Sequence, residues 1–296
     1  MPYPLNSELM YMMPTHFGPM SGPRQGPGGK MFAFEQDQRK CMTVSVSFLT
    51  NAAQLKEFLP PGFELMGEPV VTVFETYIKE IDWLAGRGYN VLGVNFPVVY
   101  QGQKDRAVGP FLTVLWENLT DPILTGREQL GFSKIYCELP EPVVYNGETH
   151  CTASWMGFRF LDIKLTQMKE VAPADYPPPP SLPTDGVLSG TIHYKYIPRT
   201  GEWGKEDVAY AVLSPAPEKP TPPQSLMRGE GTIEFHRARW EDLPTQYMVV
   251  NAFSSLEIKE YRGASIEHSV GGNSLSNQRI LPVSYTHLTL PTIHLV

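Results

Sequence analysis

Apolar and polar positions alternate with a period of two over most of this chain. Val44, Val46 and Phe48 alternate with Ser45, Ser47 and Leu49, the pattern of a half-buried strand. Asn51 is placed to cap a short helix running through Leu59, which Pro60-Pro61-Gly62 ends. Strands are predicted over Pro69–Ile78, Val91–Tyr100 and Phe111–Glu117, and QGQKDRAVG between the last two reads as a hairpin loop. More are expected near Cys151–Phe160, Gly190–Tyr196, Val208–Leu213, Gly231–His236 and Ala252–Glu260. The class is mostly antiparallel β, in the α+β sense, with a few short helices.

The pattern fails in four places. Residues 1–30 are rich in Met, Pro and Gly and cannot build a core, so they are expected to form an arm laid as a strap over the body. Two Pro-rich stretches, ADYPPPPSLP at 174–183 and SPAPEKPTPP at 214–223, are expected to be stiff surface connections. From Val283 the run VSYTHLTLPTIHLV shares nothing with what precedes it and looks like a translated sequencing-library adaptor. The expected division is therefore an arm over 1–30, one domain over 31–282 and a non-native tail over 283–296.

Composition narrows the class. The chain has 296 residues, of which 19% are charged, and a net charge of -7 spread along its length. That balance argues against nucleic acid as a partner. No run of eighteen apolar residues suggests a membrane span. The N-terminus lacks a basic region followed by an apolar stretch, as a secretory signal would have. Three scattered cysteines, Cys41, Cys137 and Cys151, suit a reducing compartment, so the protein is expected to be cytoplasmic. Outside the tail, His16, His150, His193, His236 and His268 show no metal-ligand spacing, and no metal is expected. A GxSxG elbow is absent. AGRGYN at 85–90 reads as a turn, not a phosphate loop.

The candidate chemistry lies in TGREQLGFSK, residues 125–134. Lys134 sits in an apolar run, where an ammonium is costly without a partner. A desolvated lysine can act as a neutral amine and form a Schiff base with a carbonyl compound. Equally, the stem of a strand-edge lysine can pack while its head reaches water. Glu75, Glu117 and Glu128 are carboxylates near apolar segments, and each alone suits a salt bridge or a cap as well as catalysis.

LPPGFEL followed by GEPVV, then GYNVLGVNFPVVY, GPFLTVLWEN and GREQLGFSKI resemble the acetoacetate decarboxylase family in order and spacing. MPTHFGP and EDLPTQYMVVNAFSS extend the likeness over most of residues 10–282. In that family the lysine after the GRE motif forms the Schiff base, and it falls on Lys134. The resemblance implies an antiparallel sheet closed into a cone or barrel, a homo-oligomer, and a small oxo acid as substrate, with no cofactor. The family's second lysine is replaced by Ile135, and one of its glutamates by Val91. Its other glutamate falls on Phe74 without a gap or on Glu75 with a shift of one residue, and Glu75 is the residue chosen. The carboxylate-holding arginine falls on Cys41 without a gap, with Arg39 beside it the choice. Phe132, Ile135, Val91 and Arg39 are thus expected around the substrate, with Lys134 and Glu75 catalytic.

The resemblance implies decarboxylation of acetoacetate or a similar β-keto acid through an iminium on Lys134. Because two expected partners are missing, an aldolase- or dehydratase-type enzyme on pyruvate-like acids remains open. So does a non-catalytic small-ligand-binding member of the same fold.

Overall fold

Alternation along β1 (Lys40–Leu49) sends Val44, Val46 and Phe48 into the core. Burying each such side chain contributes about 1.5–3 kcal/mol. The computed structural model describes residues 4–33, 38–178, 183, 186–217, 220–273 and 275–282. The adaptor-like tail lies outside the described residues, as do 179–182 and 218–219 of the Pro-rich loops.

After β1, the Asn51 side chain accepts a 2.9 Å bond from the Ala53 N–H and caps α1 (Ala52–Lys56). Then come β2 (Phe63–Leu65), β3 (Val70–Ile81), β4 (Arg87–Gln101) and β5 (Arg106–Glu117). A short helix, α2 (Thr120–Thr125), runs into a π-helical turn over Gly126–Leu130 and leads to β6 (Lys134–Tyr136). The remaining elements are β7 (Val143–Tyr145), β8 (Glu148–Trp155), β9 (Phe158–Glu170), β10 (Leu188–Pro198), β11 (Glu206–Pro215), β12 (Ser225–Phe235), α3 (Tyr247–Ser254), β13 (Glu260–Val270) and β14 (Arg279–Leu281).

All strands belong to one sheet, ordered β14-β11-β10-β5-β4-β3-β1-β13-β12-β9-β8-β7, with β2 on β4 and β6 on β5. Most pairs are antiparallel, but β5 pairs in parallel with both β10 and β6, so the sheet is mixed. The two ends of the path, β14 and β7, are not paired with each other. The sheet is therefore open where the resemblance implied a closed cone or barrel.

Three local expectations need correction. Cys151–Phe160 is not one strand but the β8–β9 hairpin, turned at Met156 (φ 47) and Gly157 (φ 87). A two-residue loop with both residues at positive φ matches the strands' twist. Ala252–Glu260 holds the end of α3 and a connection to β13. Val250 and Phe253, three residues apart, are buried on one side of α3, a helical spacing. Much of QGQKDRAVG is strand, since β4 runs to Gln101 and β5 starts at Arg106.

One irregularity positions the site. On β5, Phe111 faces the main core, so strict alternation would send Leu115 and Glu117 there too. Instead Val94 pairs with Val114 while Asn95 pairs with Leu112, which leaves Thr113 as an extra residue. The Thr113 hydroxyl donates a 2.7 Å bond to the Val94 carbonyl. Such a bulge reverses the facing of everything beyond it. Val114 and Trp116 enter the main core, and Leu115 and Glu117 turn to the other side with Leu112.

Candidate active site

On that other side lies a cavity of about 830 Å³. Its wall at one end is a small apolar cluster of Val91, Leu112 and Leu115 with Phe74, Ile78, Tyr89 and Phe132 packed against it. Lys134 and Glu117 reach the cavity at this end.

Lys134 opens β6, which pairs in parallel with the end of β5, Leu115 opposite Lys134. Its side chain is 8% exposed and that of Glu117 is 1% exposed, and Nζ lies 2.7 Å from Glu117 Oε1. Nζ also donates a 3.0 Å bond to the Pro122 carbonyl and stands 5.6 Å from the centre of the Phe132 ring. Burial pushes the Glu117 carboxyl above its ordinary value, and the neighbouring Lys134 charge only partly opposes that.

The π-helical turn makes room for the amine. A side chain at Gly126 would put its Cβ 2.4 Å from Cδ and Cε of Lys134 and 2.7 Å from Nζ. Any residue with a Cβ here would oblige the end of the lysine to shift. The Gly126 carbonyl accepts from Phe132 N–H at 2.9 Å, and Arg127 Nη1 donates to the Lys134 carbonyl at 2.8 Å. Thus the GRE segment holds both the backbone and the path of the lysine that follows it.

Strand β10 braces the same turn from the far side. His193, fully buried, stacks on Phe132 with ring centres 4.0 Å apart, and its Nε2 donates to the Leu130 carbonyl at 2.9 Å. Two residues along, Lys195 Nζ donates to the Glu128 carbonyl at 2.6 Å. Burial pushes His193 down to about 4, helped by the Lys134 and Lys195 charges, so it is neutral at neutral pH.

The expected site residues divide. Lys134, Phe132 and Val91 meet at the cavity. Val91 lies directly across the β4–β5 ladder from Glu117. Glu75 is placed elsewhere: alternation along β3 turns Phe74 and Thr76 to the cavity and Val71, Val73, Glu75 and Tyr77 to the main core. There Tyr77 donates its hydroxyl to Glu75 Oε2, and burial pushes the Glu75 carboxyl up to about 8. Ile135 also faces away, packed on the main core opposite Trp116, because β6 alternates too. Arg39, just before β1, is absent from the cavity wall, although its charge acts on Tyr89, which lines it.

Sequence reasoning weighed Glu117 singly and did not join it to Lys134. The available signal was of the same kind, a charge inside the apolar run FLTVLWEN. Nothing in the sequence marked His193 or Tyr89.

The family model of acetoacetate decarboxylase (ADC) matches residues 12–269. No curated protein matches the chain. Among solved structures, an acetoacetate decarboxylase superposes with a TM-score of 0.62 at 14% identity, covering 85% of this chain and 91% of that one. The acetoacetate decarboxylase of Legionella pneumophila gives 0.60 at 17% identity, covering 95% and 98%. The enduracididine biosynthesis enzyme MppR, complexed with the condensation product of pyruvate and imidazole 4-carboxaldehyde, gives 0.58 at 17% identity, covering 82% and 88%. Those identities speak to fold; the family match over residues 12–269 goes further, and this chain belongs to the acetoacetate decarboxylase family.

Proposed function

We propose that the chain is a Schiff-base-forming carbon–carbon lyase that decarboxylates a β-keto acid through an iminium on Lys134. The observation that carries this reading is the buried Lys134 amine at the end of a cavity, hydrogen-bonded to a buried carboxylate. Moving one proton from the ammonium to Glu117 turns an ion pair into a neutral amine and a neutral acid. Burial, which pushes the Glu117 carboxyl above its ordinary value, suits Glu117 to accept that proton.

The chemistry then balances on two residues. Nζ adds to the ketone, and one amine proton passes to the oxygen to give a carbinolamine. The Glu117 acid protonates that hydroxyl, which leaves as water, and a protonated iminium remains beside the Glu117 carboxylate. The bond to the substrate carboxylate breaks, carbon dioxide departs, and its electron pair flows through the new C=C bond to nitrogen as an enamine. Water protonates the enamine carbon, the hydroxide so formed adds to the iminium carbon, and collapse of that carbinolamine releases the ketone and the free amine, while Glu117 takes back its proton from solvent.

Borohydride added with a β-keto acid is expected to trap one adduct on Lys134, and Lys134→Ala to abolish it. No adduct across a panel of oxo acids would sink the reading. A second reading, aldol or dehydration chemistry on pyruvate-like acids, draws on Glu117, the carboxylate 2.7 Å from Nζ, as the base for the carbon beside the iminium. Carbon dioxide release from the β-keto acid separates the two. We carry a homo-oligomer in the same proposal, to be checked by light scattering.

A further inference from the structure

We infer that the substrate of this site is a carbonyl compound with an extended, uncharged apolar tail, an alkyl or aryl β-keto acid larger than acetoacetate. The inference rests on the iminium reading above and specifies the rest of the molecule. The wall follows β5 from Glu117 to Val108, nine steps along one strand, or roughly 30 Å at about 3.3 Å per residue. Its volume of about 830 Å³ lies in the range, about 300–1,000 Å³, that encloses drug-sized ligands. Acetoacetate at Lys134 would leave most of that length to water.

The chemistry of the wall sets the chemistry of the tail. Among the described residues that line the cavity, Lys134 and Glu117 are the only charged ones, and they face each other. Outward from them the wall passes Phe74, Leu112 and Pro110, with Met66 at the level of Pro110, to Val108. The polar groups along this path, such as Thr191, Ser189 and Ser214, are neutral hydroxyls. Against these described wall residues a charged tail would lose water and meet no counter-ion of their own, whereas an apolar tail exchanges water for carbon contacts. Arg39, the one cation assigned to the substrate from sequence, is not part of the wall. The reacting carbon is thus anchored at the amine while the tail lies along β5 toward Val108 and Ser189, its partner on β10.

The test is a chain-length series: acetoacetate, 3-oxohexanoate, 3-oxooctanoate and benzoylacetate. Adduct formation and kcat/KM for carbon dioxide release are measured for each. Each buried methylene is expected to raise kcat/KM roughly fourfold, chiefly through KM. A flat series, or a preference for acetoacetate, overturns the inference and leaves the iminium reading standing. Calorimetric titration of Lys134→Ala with 2-hexanone, 2-octanone and acetophenone reads the tail pocket without the amine. Affinity that rises with chain length supports the proposal even if no adduct forms in the native protein. Affinity independent of length overturns it.

Discussion

Glu117 and Lys134 come from adjacent parallel strands, and their charged ends meet at 2.7 Å with both side chains all but removed from solvent. Two facts bring them together. The bulge at Thr113 turns Glu117 out of the main core, and the bare Gly126 backbone leaves the lysine a channel to reach it. Breaking a buried pair by removing one partner costs more than the pair contributes, because the charge left behind has neither water nor a counter-ion.

Glu117→Ala is therefore expected to destabilise the protein by about 3–5 kcal/mol, measured by urea unfolding. Glu117→Gln keeps the shape, and it is expected to lower kcat for the β-keto acid by about 10²–10⁴-fold through loss of the proton carrier. An unchanged kcat in Glu117→Gln would remove Glu117 from the mechanism.

Gly126→Ala tests the channel. The new Cβ would overlap the lysine stem, so the amine is expected to be displaced while the rest of the sheet is untouched. Borohydride trapping should fall at least about tenfold, in keeping with the cost of a misplaced reacting group, with far-UV circular dichroism unchanged. Wild-type trapping in this variant would show that the lysine has another path.

His193 makes no hydrogen bond to the amine; it stacks on Phe132 and holds the Leu130 carbonyl, so a positioning role is the prediction to test. His193→Phe keeps the ring face but removes the donor to the Leu130 carbonyl, at an expected cost of about 1–3 kcal/mol for the unpaired group. Adduct formation should slow with little change in KM, and His193→Gln, which restores a donor, should recover part of the rate. Equal rates in the Phe and Gln variants would mean that the bond to Leu130 does not hold the turn.

Glu75 predicts a pH dependence of stability. Its carboxyl is held up at about 8 in the folded chain against an ordinary 4.5, so the folded state binds the proton more tightly than the unfolded state does. The stabilisation is complete below 4.5 and is lost as pH rises through about 8. Tyr77, Cys137 and Cys151 around it supply no positive charge to hold the ionised form. Glu75→Gln should flatten this part of the curve: in urea unfolding the stability of the wild type relative to the variant should fall steadily between about pH 5 and pH 8. A difference that is constant over that range would refute the assignment.

The alternation of Val44, Val46 and Phe48, the Asn51 cap and the apolar run around Lys134 were legible because each depends on residues close together in the chain. A strand's period of two and a helix cap are local sterics and local hydrogen bonds, so sequence alone determines them. Lys134 could be singled out because a charge amid apolar neighbours is visible without coordinates.

What surrounds that lysine was not legible, because facing depends on count. In β3 a shift of one residue separates Phe74, on the cavity wall, from Glu75, in the core. In β6 the neighbour of Lys134, Ile135, points away from it. In β5 one extra residue at Thr113 reverses the facing of Glu117, and only pairing with β4 reveals it. The openness of the sheet likewise depends on which edges meet, not on any strand's own pattern. Sequence by itself determined the alternating strands such as β1 and singled out Lys134. Tertiary structure decided its partner, because register and bulges are set by pairing between distant segments, and one residue of slip exchanges core for cavity.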